Sequence, residues 1–226
     1  MWEPHVAPLN ALVEGWRASS GRTARQVPWF DPDGGGNEAG VLLLMESPGP
    51  ATVAAGDVGF SSEDNDDPTA RRLRRLRIES GLARDAYVRW NVVPWALHAA
   101  DGRRRAPTTA DLDEAAPTLT ALVDALPRLR VTVTFGSAAL QGWMRLLTLP
   151  NPVAGGDLVP TLAVPHPSPA NGHRRAVAEA RTRTALARAA ALARDDRHGR
   201  RGPAAPDPAR PDPDQPRPGR AHEEDR

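Results

Sequence analysis

The sequence predicts an α/β domain in which a four-stranded parallel sheet carries helices on both faces. Four strand-like runs alternate with segments of helical spacing, a pattern typical of parallel sheets. The first run, Gly40–Met45, is short and continuously apolar, which suits a parallel strand buried on both faces. Three of the four runs are followed by Pro, Gly and an isolated polar side chain, where folds of this class bind ligands.

The predicted elements alternate along the body of the chain. In order they are helix Ala11–Ser19, strand Gly40–Met45, helix Asp67–Gly81, strand Tyr87–Val93, helix Thr108–Leu126, strand Leu129–Phe135, helix Gly136–Leu147, strand Pro160–Pro165 and a helix from about Gly172 to Ala193. The second helix has a Pro at its start, leucines at spacing three and a Gly at its end. The third helix is expected to be interrupted or restarted at Pro117. The strand over Leu129–Phe135 is rich in β-branched residues.

The chain of 226 residues is long enough for one domain or two small ones, and one core is the better interpretation. From Asp196 onward Pro and charged residues dominate and apolar residues are almost absent. Such a segment buries too little apolar surface to offset the entropy of ordering. We therefore predict a domain over residues 1–195 and a disordered, non-catalytic tail over residues 196–226.

The composition excludes several kinds of site. The sequence has no cysteine, which removes disulfides, thiolate catalysis and cysteine-ligated zinc or iron–sulfur clusters. It also has no HExxH motif and no histidine pair at i, i+4, so we expect neither a metal nor a cofactor. A signal peptide and an apolar run of about 20 residues are both missing. We expect a soluble, cytoplasmic protein with no membrane partner.

Arginine supplies every cation, and the net charge of +1 does not by itself indicate a nucleic-acid partner. The arginines cluster in Ala70–Arg77, Gly102–Arg105 and His173–Arg175. Two interpretations remain open. Arginine binds phosphate in a planar, bidentate manner, whereas an Ala/Arg/Pro-rich genome also places arginine on every solvated helix face.

Glu46 directly follows the first predicted strand. Partial desolvation there would raise the pKa of its carboxyl and suit it to orient water or act as a general base. The alternative is that Glu46 caps the amides of the next turn. Asn91, at the end of the second strand, presents a donor and an acceptor side by side, as reading a base edge requires. Its alternative role is a buried amide satisfied by the local backbone.

Two further residues are candidates for a ligand site. Phe60 lies in an otherwise polar loop and is either a stacking platform or a plug at the domain edge. His166 follows the last strand between Pro165 and Pro167, which restrict the backbone and lower the cost of holding the ring in one place. The next helix then presents free amides of the kind that bind phosphate.

Three segments together resemble the uracil-DNA glycosylase superfamily. They are "ESPG" after the first strand, "WNVVPW" around Asn91 and, most specific of the three, "HPSPAN" from His166 to Asn171. The resemblance spans roughly Val27 to Ala193. It implies a three-layer αβα sandwich with a four-stranded parallel sheet. The expected partner is DNA, single-stranded or double-stranded with a flipped base, bound by a monomer.

The resemblance also implies roles for single residues. Asn91 would read the Watson–Crick edge of a flipped base, and Phe60 would stack on its face. His166 would donate to the base carbonyl as negative charge builds on the leaving base. Glu46 would orient water or offset the positive sugar. The remaining residues implied are Ser47, Pro48 and Gly49 against the substrate, and Ser168, Asn171, Gly172 and Arg174 on the flanking DNA phosphates.

The sequence departs from the superfamily pattern at three positions. Ser47 takes the slot of the Asp that activates water in the best-known branch, one residue after Glu46. Gly49 replaces the aromatic residue that excludes the methyl group of thymine, and Ala170 replaces a bulky wedge. The alternatives are a non-catalytic relative that binds nucleic acid and an unrelated α/β hydrolase. The missing G-x-S-x-G elbow counts against the hydrolase.

Overall fold

The computed structural model describes residues 2–19, 26–148, 159–167 and 175–195. Its helices are α1 (Ala7–Ser19), α2 (Pro50–Ala54), α3 (Pro68–Ser80), α4 (Thr109–Asp124), α5 (Ser137–Thr148) and α6 (Arg175–Arg194). Its strands are β1 (Trp29–Phe30), β2 (Val41–Met45), β3 (Phe60–Ser61), β4 (Tyr87–Asn91), β5 (Val131–Phe135) and β6 (Thr161–Val164). No helix among the described residues is long and apolar enough to cross a membrane.

The main sheet has four parallel strands in the order β4-β2-β5-β6. Met45 at the end of β2 is level with Asn91 at the end of β4, and Phe135 of β5 is level with Val164 of β6. Because all four strands run in the same direction, their carboxyl ends share one edge of the sheet. The predicted parallel sheet is confirmed.

Helices cover the sheet on both faces, which gives the predicted three-layer αβα sandwich. One apolar cluster joins α1, α4 and α5 to side chains such as Leu42, Leu44 and Trp90. The other joins α3 and α6 to Val41, Leu43 and Met45. The alternation along β2 follows from the period of two in a strand, since successive side chains point to opposite faces.

Helix α3 begins and ends as its sequence predicts. The Asp67 carboxylate caps the helix by accepting from the amides of Thr69 and Ala70 at 2.8 and 2.9 Å. Pro68 occupies the first helical position, where its missing N–H has no cost. Gly81 ends the helix in the left-handed region, at φ 70°.

The predicted interruption at Pro117 is wrong, because α4 continues through it. Thr108 and Asp111 form a capping box at the start of the helix. Pro117 itself is exposed, while Leu112 and Leu122, on either side of it, are buried. Burial of the apolar stripe on both sides holds the helix together and outweighs the loss of one backbone hydrogen bond.

Helix α1 and strand β4 have bounds that differ from the prediction, and one small sheet was not predicted. Helix α1 begins at Ala7, four residues before the predicted start, and β4 ends at Asn91. Val92 and Val93 still donate to the backbone carbonyls of Met45 and Glu46 at 2.9 and 3.1 Å. The chain also contains a two-stranded parallel sheet of β1 and β3, which is too short to leave a periodic signal in the sequence.

Candidate functional site at the carboxyl edge of the sheet

The carboxyl edge of the sheet carries Glu46, Asn91 and His166. Glu46 follows β2, Asn91 ends β4 and His166 lies two residues beyond β6. Neighbouring strands are about 4.8 Å apart, so the strand order places Glu46 between the ends of β4 and β5. The structure therefore brings the three candidate residues, which are far apart in the sequence, to one edge.

Gly136 allows His166 to lie over the end of β5. The Gly136 amide donates to the Val164 carbonyl at 2.8 Å, and the φ of Gly136 is +89°. A Cβ on this glycine would lie 3.2 Å from the Cβ of His166, a tight contact added to an unfavourable backbone conformation. Sequence analysis missed this role, although a glycine directly after a strand is its signal.

The backbone after His166 is tied to the helical layer. Arg72 on α3 donates from Nη1 to the carbonyl oxygen of Pro167 at 2.7 Å. Pro167 itself is buried. This bond joins residues 95 positions apart, so α3 fixes the segment that follows β6.

His166 is held in its neutral form. The residue is half-buried, and burial is the main cause that lowers its pKa to about 4. The positive charges of Arg89 and Arg104 act in the same direction, and Asp67 opposes them. A neutral imidazole at pH 7 can donate one N–H to a ligand without carrying a charge.

Asn91 is a buried amide without a hydrogen-bond partner among the described residues. It is 4% exposed, and no side-chain hydrogen bond to it is found in this part of the chain. Asn10 provides the contrast, since it is 0% exposed and its Oδ1 accepts from the Phe30 amide at 2.9 Å. The alternative role of Asn91, an amide satisfied by the local backbone, therefore lacks support in these residues.

Glu46 is half-buried at the same edge. Burial raises the pKa of its carboxyl, and the charge of Arg104 opposes the rise. The direction agrees with the desolvation predicted for this position. The alternative role as a cap of the next turn is not found: the N-cap of α2 is Gly49, and among the described residues no backbone amide donates to the Glu46 carboxylate.

The turn after Glu46 contains one buried residue and two that are partly accessible to solvent. Pro48 is buried, whereas Ser47 and Gly49 are partly accessible. A Cβ placed on Gly49 would meet no atom within 4 Å. The Cβ position of Gly49 therefore faces open space.

Phe60 does not lie in a loop, and that prediction is wrong. It belongs to β3 and pairs with Trp29 of β1. Its side chain is partly buried against the apolar cluster of α1, α4 and α5, as the alternative of a plug at the domain edge implies. A stacking role for its exposed part stays a prediction.

The cavity that His166 lines is too small for a base. It lies between α3 and α6, has a volume of about 10 Å³ and is also lined by Arg72 and Glu179. That volume accommodates about one water molecule. The role of Asn91 in reading a flipped base requires a base-sized hollow beside Glu46, Asn91 and His166, and this hollow stays a prediction.

Four predicted phosphate contacts lie outside the described residues. They are Ser168, Asn171, Gly172 and Arg174. The tail over residues 196–226 also lies outside them. The roles given to these residues stay predictions.

The arginines of the two clusters Ala70–Arg77 and Gly102–Arg105, five and three in number, are mostly neutralised by the chain itself. Seven pair with carboxylates: Arg71 with Asp66, Arg72 with Glu179, Arg74 with Asp64, Arg75 with Glu79 and Glu179, Arg77 with Glu63, Arg103 with Asp101, and Arg105 with Asp111. These pairs count against a phosphate surface; the first cluster lies on α3, as the interpretation of a solvated helix face expects, whereas the second does not lie on a helix. Sequence analysis did not single out the eighth arginine, Arg104, which contacts the turn after Glu46.

The comparison with protein families agrees with this geometry. A model of the uracil DNA glycosylase superfamily matches residues 32–190. The match covers more than half of the chain and contains β2, β4, β5 and β6 with the candidate residues at their ends. No curated protein matches the sequence. The chain belongs to the uracil DNA glycosylase superfamily.

Proposed function

We propose that the protein is a DNA glycosylase that hydrolyses the N-glycosidic bond of uracil, or of a related deaminated base, in DNA. The observation that carries this proposal is the buried amide of Asn91, which lacks a partner among the described residues. The Asn91 amide is not among the fully buried side-chain atoms that lack a partner, so it can be reached from the solvent although most of the residue is buried. A ligand with the complementary donor and acceptor, such as the edge of a flipped base, would bond this amide in place of water.

Asn91 and His166 divide the recognition of the base between them. The Asn91 amide offers one donor and one acceptor to the Watson–Crick edge. The neutral imidazole of His166 donates to a base carbonyl. That hydrogen bond strengthens as negative charge develops on the base, so it stabilises the transition state more than the bound substrate.

Glu46 acts on the sugar and the attacking water. When the bond between C1′ and the base nitrogen breaks, the electron pair leaves with the base as an anion and the sugar becomes oxocarbenium-like. Water then adds to C1′, and the Glu46 carboxylate accepts its proton. Ionised Glu46 also offsets the positive charge of the sugar before the water adds.

A non-catalytic, base-sensing relative is the second candidate. Ser47 favours it, because Ser stands where the best-known branch has the Asp that activates water. In that case Asn91 and His166 would still hold a flipped base, and the glycosidic bond would stay intact. Binding without excision separates the two candidates.

The test is single-turnover excision from oligonucleotides that contain uracil, hypoxanthine, xanthine or thymine. We expect the wild type to release uracil or another deaminated base and to leave alkali-labile sites. Asn91→Ala should reduce this rate by about 10²–10³-fold, since one donor that acts in the transition state has about that effect. Asn10→Ala is the matched control, because it removes a buried amide that bonds only within the fold.

The double variant Glu46→Ala, His166→Ala sets the background of the assay. If it and the wild type both bind the DNA and neither releases any base of the panel, the glycosylase proposal is wrong. If Asn91→Ala excises as fast as the wild type, Asn91 does not read the base.

A further inference from the structure

Arg104 lies against the turn that follows Glu46. Its Nη2 donates to the carbonyl oxygen of Pro48 at 2.6 Å and to Oγ of Ser47 at 3.2 Å. Within the described part of the chain it is the one arginine of the two clusters that bonds this turn instead of pairing with a carboxylate. The bonds join residues that are 56 and 57 positions apart.

A short hairpin presents Arg104 to the turn. Its strands are held by backbone bonds from Arg105 to Leu97 and from Ala99 to Arg103, at 3.2 and 2.8 Å. Gly102 turns the chain at φ 78°, a conformation that suits glycine. The base of the hairpin is fixed because Leu97 is 4% exposed.

The next residue anchors the hairpin to α4. Arg105 bonds both carboxylate oxygens of Asp111, from Nη1 at 2.5 Å and from Nη2 at 2.8 Å. A bidentate pair of this kind fixes direction as well as distance. Arg104 therefore projects from a braced segment, and its contact with the turn does not depend on a free chain end.

The charge of Arg104 reaches two candidate groups. It opposes the rise that burial causes in the pKa of Glu46, and it lowers the pKa of His166. Glu46 faces Arg104 from the end of β2, and the nearby side chains of Asn91 and neutral His166 add no charge there. Among the described residues, Arg104 is the charged group that acts on the Glu46 carboxyl.

We propose that Arg104 is a positioning residue, which fixes the turn from Glu46 to Gly49 at the carboxyl edge of the sheet through its bonds to Ser47 and Pro48. Its positive charge also favours the ionised form of the Glu46 carboxyl over the protonated form. The inference deepens the proposed function and rests on it, because it assigns Arg104 a role in preparing Glu46 for the reaction.

The first test measures the Glu46 carboxyl directly, with or without catalysis. The ¹³C shift of the Glu46 carboxyl is followed against pH by NMR in the wild type, Arg104→Gln and Arg103→Gln. We expect the midpoint to move to higher pH in Arg104→Gln and to stay unchanged in Arg103→Gln. Arg103 is the matched control because it lies on the same hairpin, is exposed and pairs with Asp101.

The second test uses the pH profile of single-turnover excision. For Arg104→Gln we expect the acid limb to move to higher pH and the rate at pH 7 to fall by about 10–100-fold, the range that follows from misplacing a reacting group. Arg104→Lys retains the charge but not the planar donor pair. It should therefore restore the acid limb but only part of the rate.

The outcomes separate the two proposals. A wild type that binds uracil-containing DNA without excising any base overturns the glycosylase proposal, and the NMR titration still decides the role of Arg104. An unchanged Glu46 midpoint in Arg104→Gln overturns the inference on Arg104, even if the wild type is active. Equal shifts in Arg103→Gln and Arg104→Gln also overturn it, since they would reflect the general charge of the hairpin.

Discussion

At the scale of single residues, the site depends on groups that the fold keeps in an uncommon protonation or bonding state. His166 is held neutral by burial and by the charges of Arg89 and Arg104. Asn91 keeps an amide without a partner among the described residues. Under the proposed function, both groups serve to bind a polar ligand.

The neutral state of His166 makes the stability of the protein depend on pH. The pKa of histidine is about 6.5 in the unfolded chain and about 4 for His166 in the folded one. As the pH falls below 6.5, the unfolded chain therefore takes up the proton first, and stability is lost until the pH passes 4. The loss assigned to this residue is at most about 3 kcal/mol.

Urea unfolding at pH 7 and pH 4.5 checks this prediction. We expect the free energy of unfolding of the wild type to fall between the two pH values by about 2 kcal/mol more than that of His166→Gln. Comparing the same variant at two pH values removes the packing effect of the substitution. Equal losses in the two proteins would show that His166 titrates normally in the folded state.

At the scale of secondary-structure elements, close packing of α5 on the sheet shapes the surroundings of Asn91. Gly142 of α5 faces Val92, the residue after Asn91. A Cβ on Gly142 would lie 2.1 Å from Cγ2 of Val92 and 3.3 Å from Cδ2 of Leu112. Val92 is β-branched and 2% exposed, so it has little freedom to move away.

Two glycine-to-alanine variants test this packing. Gly142→Ala should lower the free energy of unfolding by about 1–3 kcal/mol through overpacking. Gly15→Ala is the matched control, because Gly15 lies within α1 and its Cβ would meet no atom within 4 Å. It should raise the free energy of unfolding by about 0.5–1 kcal/mol. Thermal unfolding measures both, and a neutral Gly142→Ala would contradict the packing described here.

Sequence analysis predicted those helices and strands whose own residues show an apolar pattern, a cap or a helix-starting proline. The continuous apolar run of β2 and the capped, Pro-initiated start of α3 are both found. The interruption predicted at Pro117 was wrong because proline breaks helices locally, whereas the buried apolar residues on both sides of it hold α4 together. The pair of β1 and β3 was missed because two-residue strands have no period to read.

The candidate site was predictable in part, for a similar reason. Glu46, Asn91 and His166 could be identified because each follows or ends a strand and the strands are parallel. The contact of Gly136 with His166 and the bonds of Arg104 to the Ser47–Pro48 turn depend on tertiary structure. Nothing in the local sequence distinguishes Arg104 from Arg103 and Arg105.

At the scale of the whole molecule, most arginines of the two clusters are neutralised by carboxylates of the same chain. The candidate residues Glu46, Asn91 and His166 lie together at the carboxyl edge of the main sheet. The formal net charge is only +1, and most arginines of the two clusters pair with carboxylates of the same chain. Under the proposed function, we therefore expect recognition of DNA to depend more on the edge with Glu46, Asn91 and His166 than on the two arginine clusters.

The most direct test of the central claim is an NMR titration of the protein with a DNA duplex that contains one 2′-fluoro-2′-deoxyuridine. The fluorine disfavours a cationic sugar, so the base stays attached during the measurement. We expect the Asn91 side-chain amide, the His166 ring and the Gly49 backbone amide to shift with one common dissociation constant, while the Asn10 side-chain amide does not shift. Unchanged Asn91 and His166 signals in the saturated complex, or shifts with different constants, would contradict a single base site at this edge.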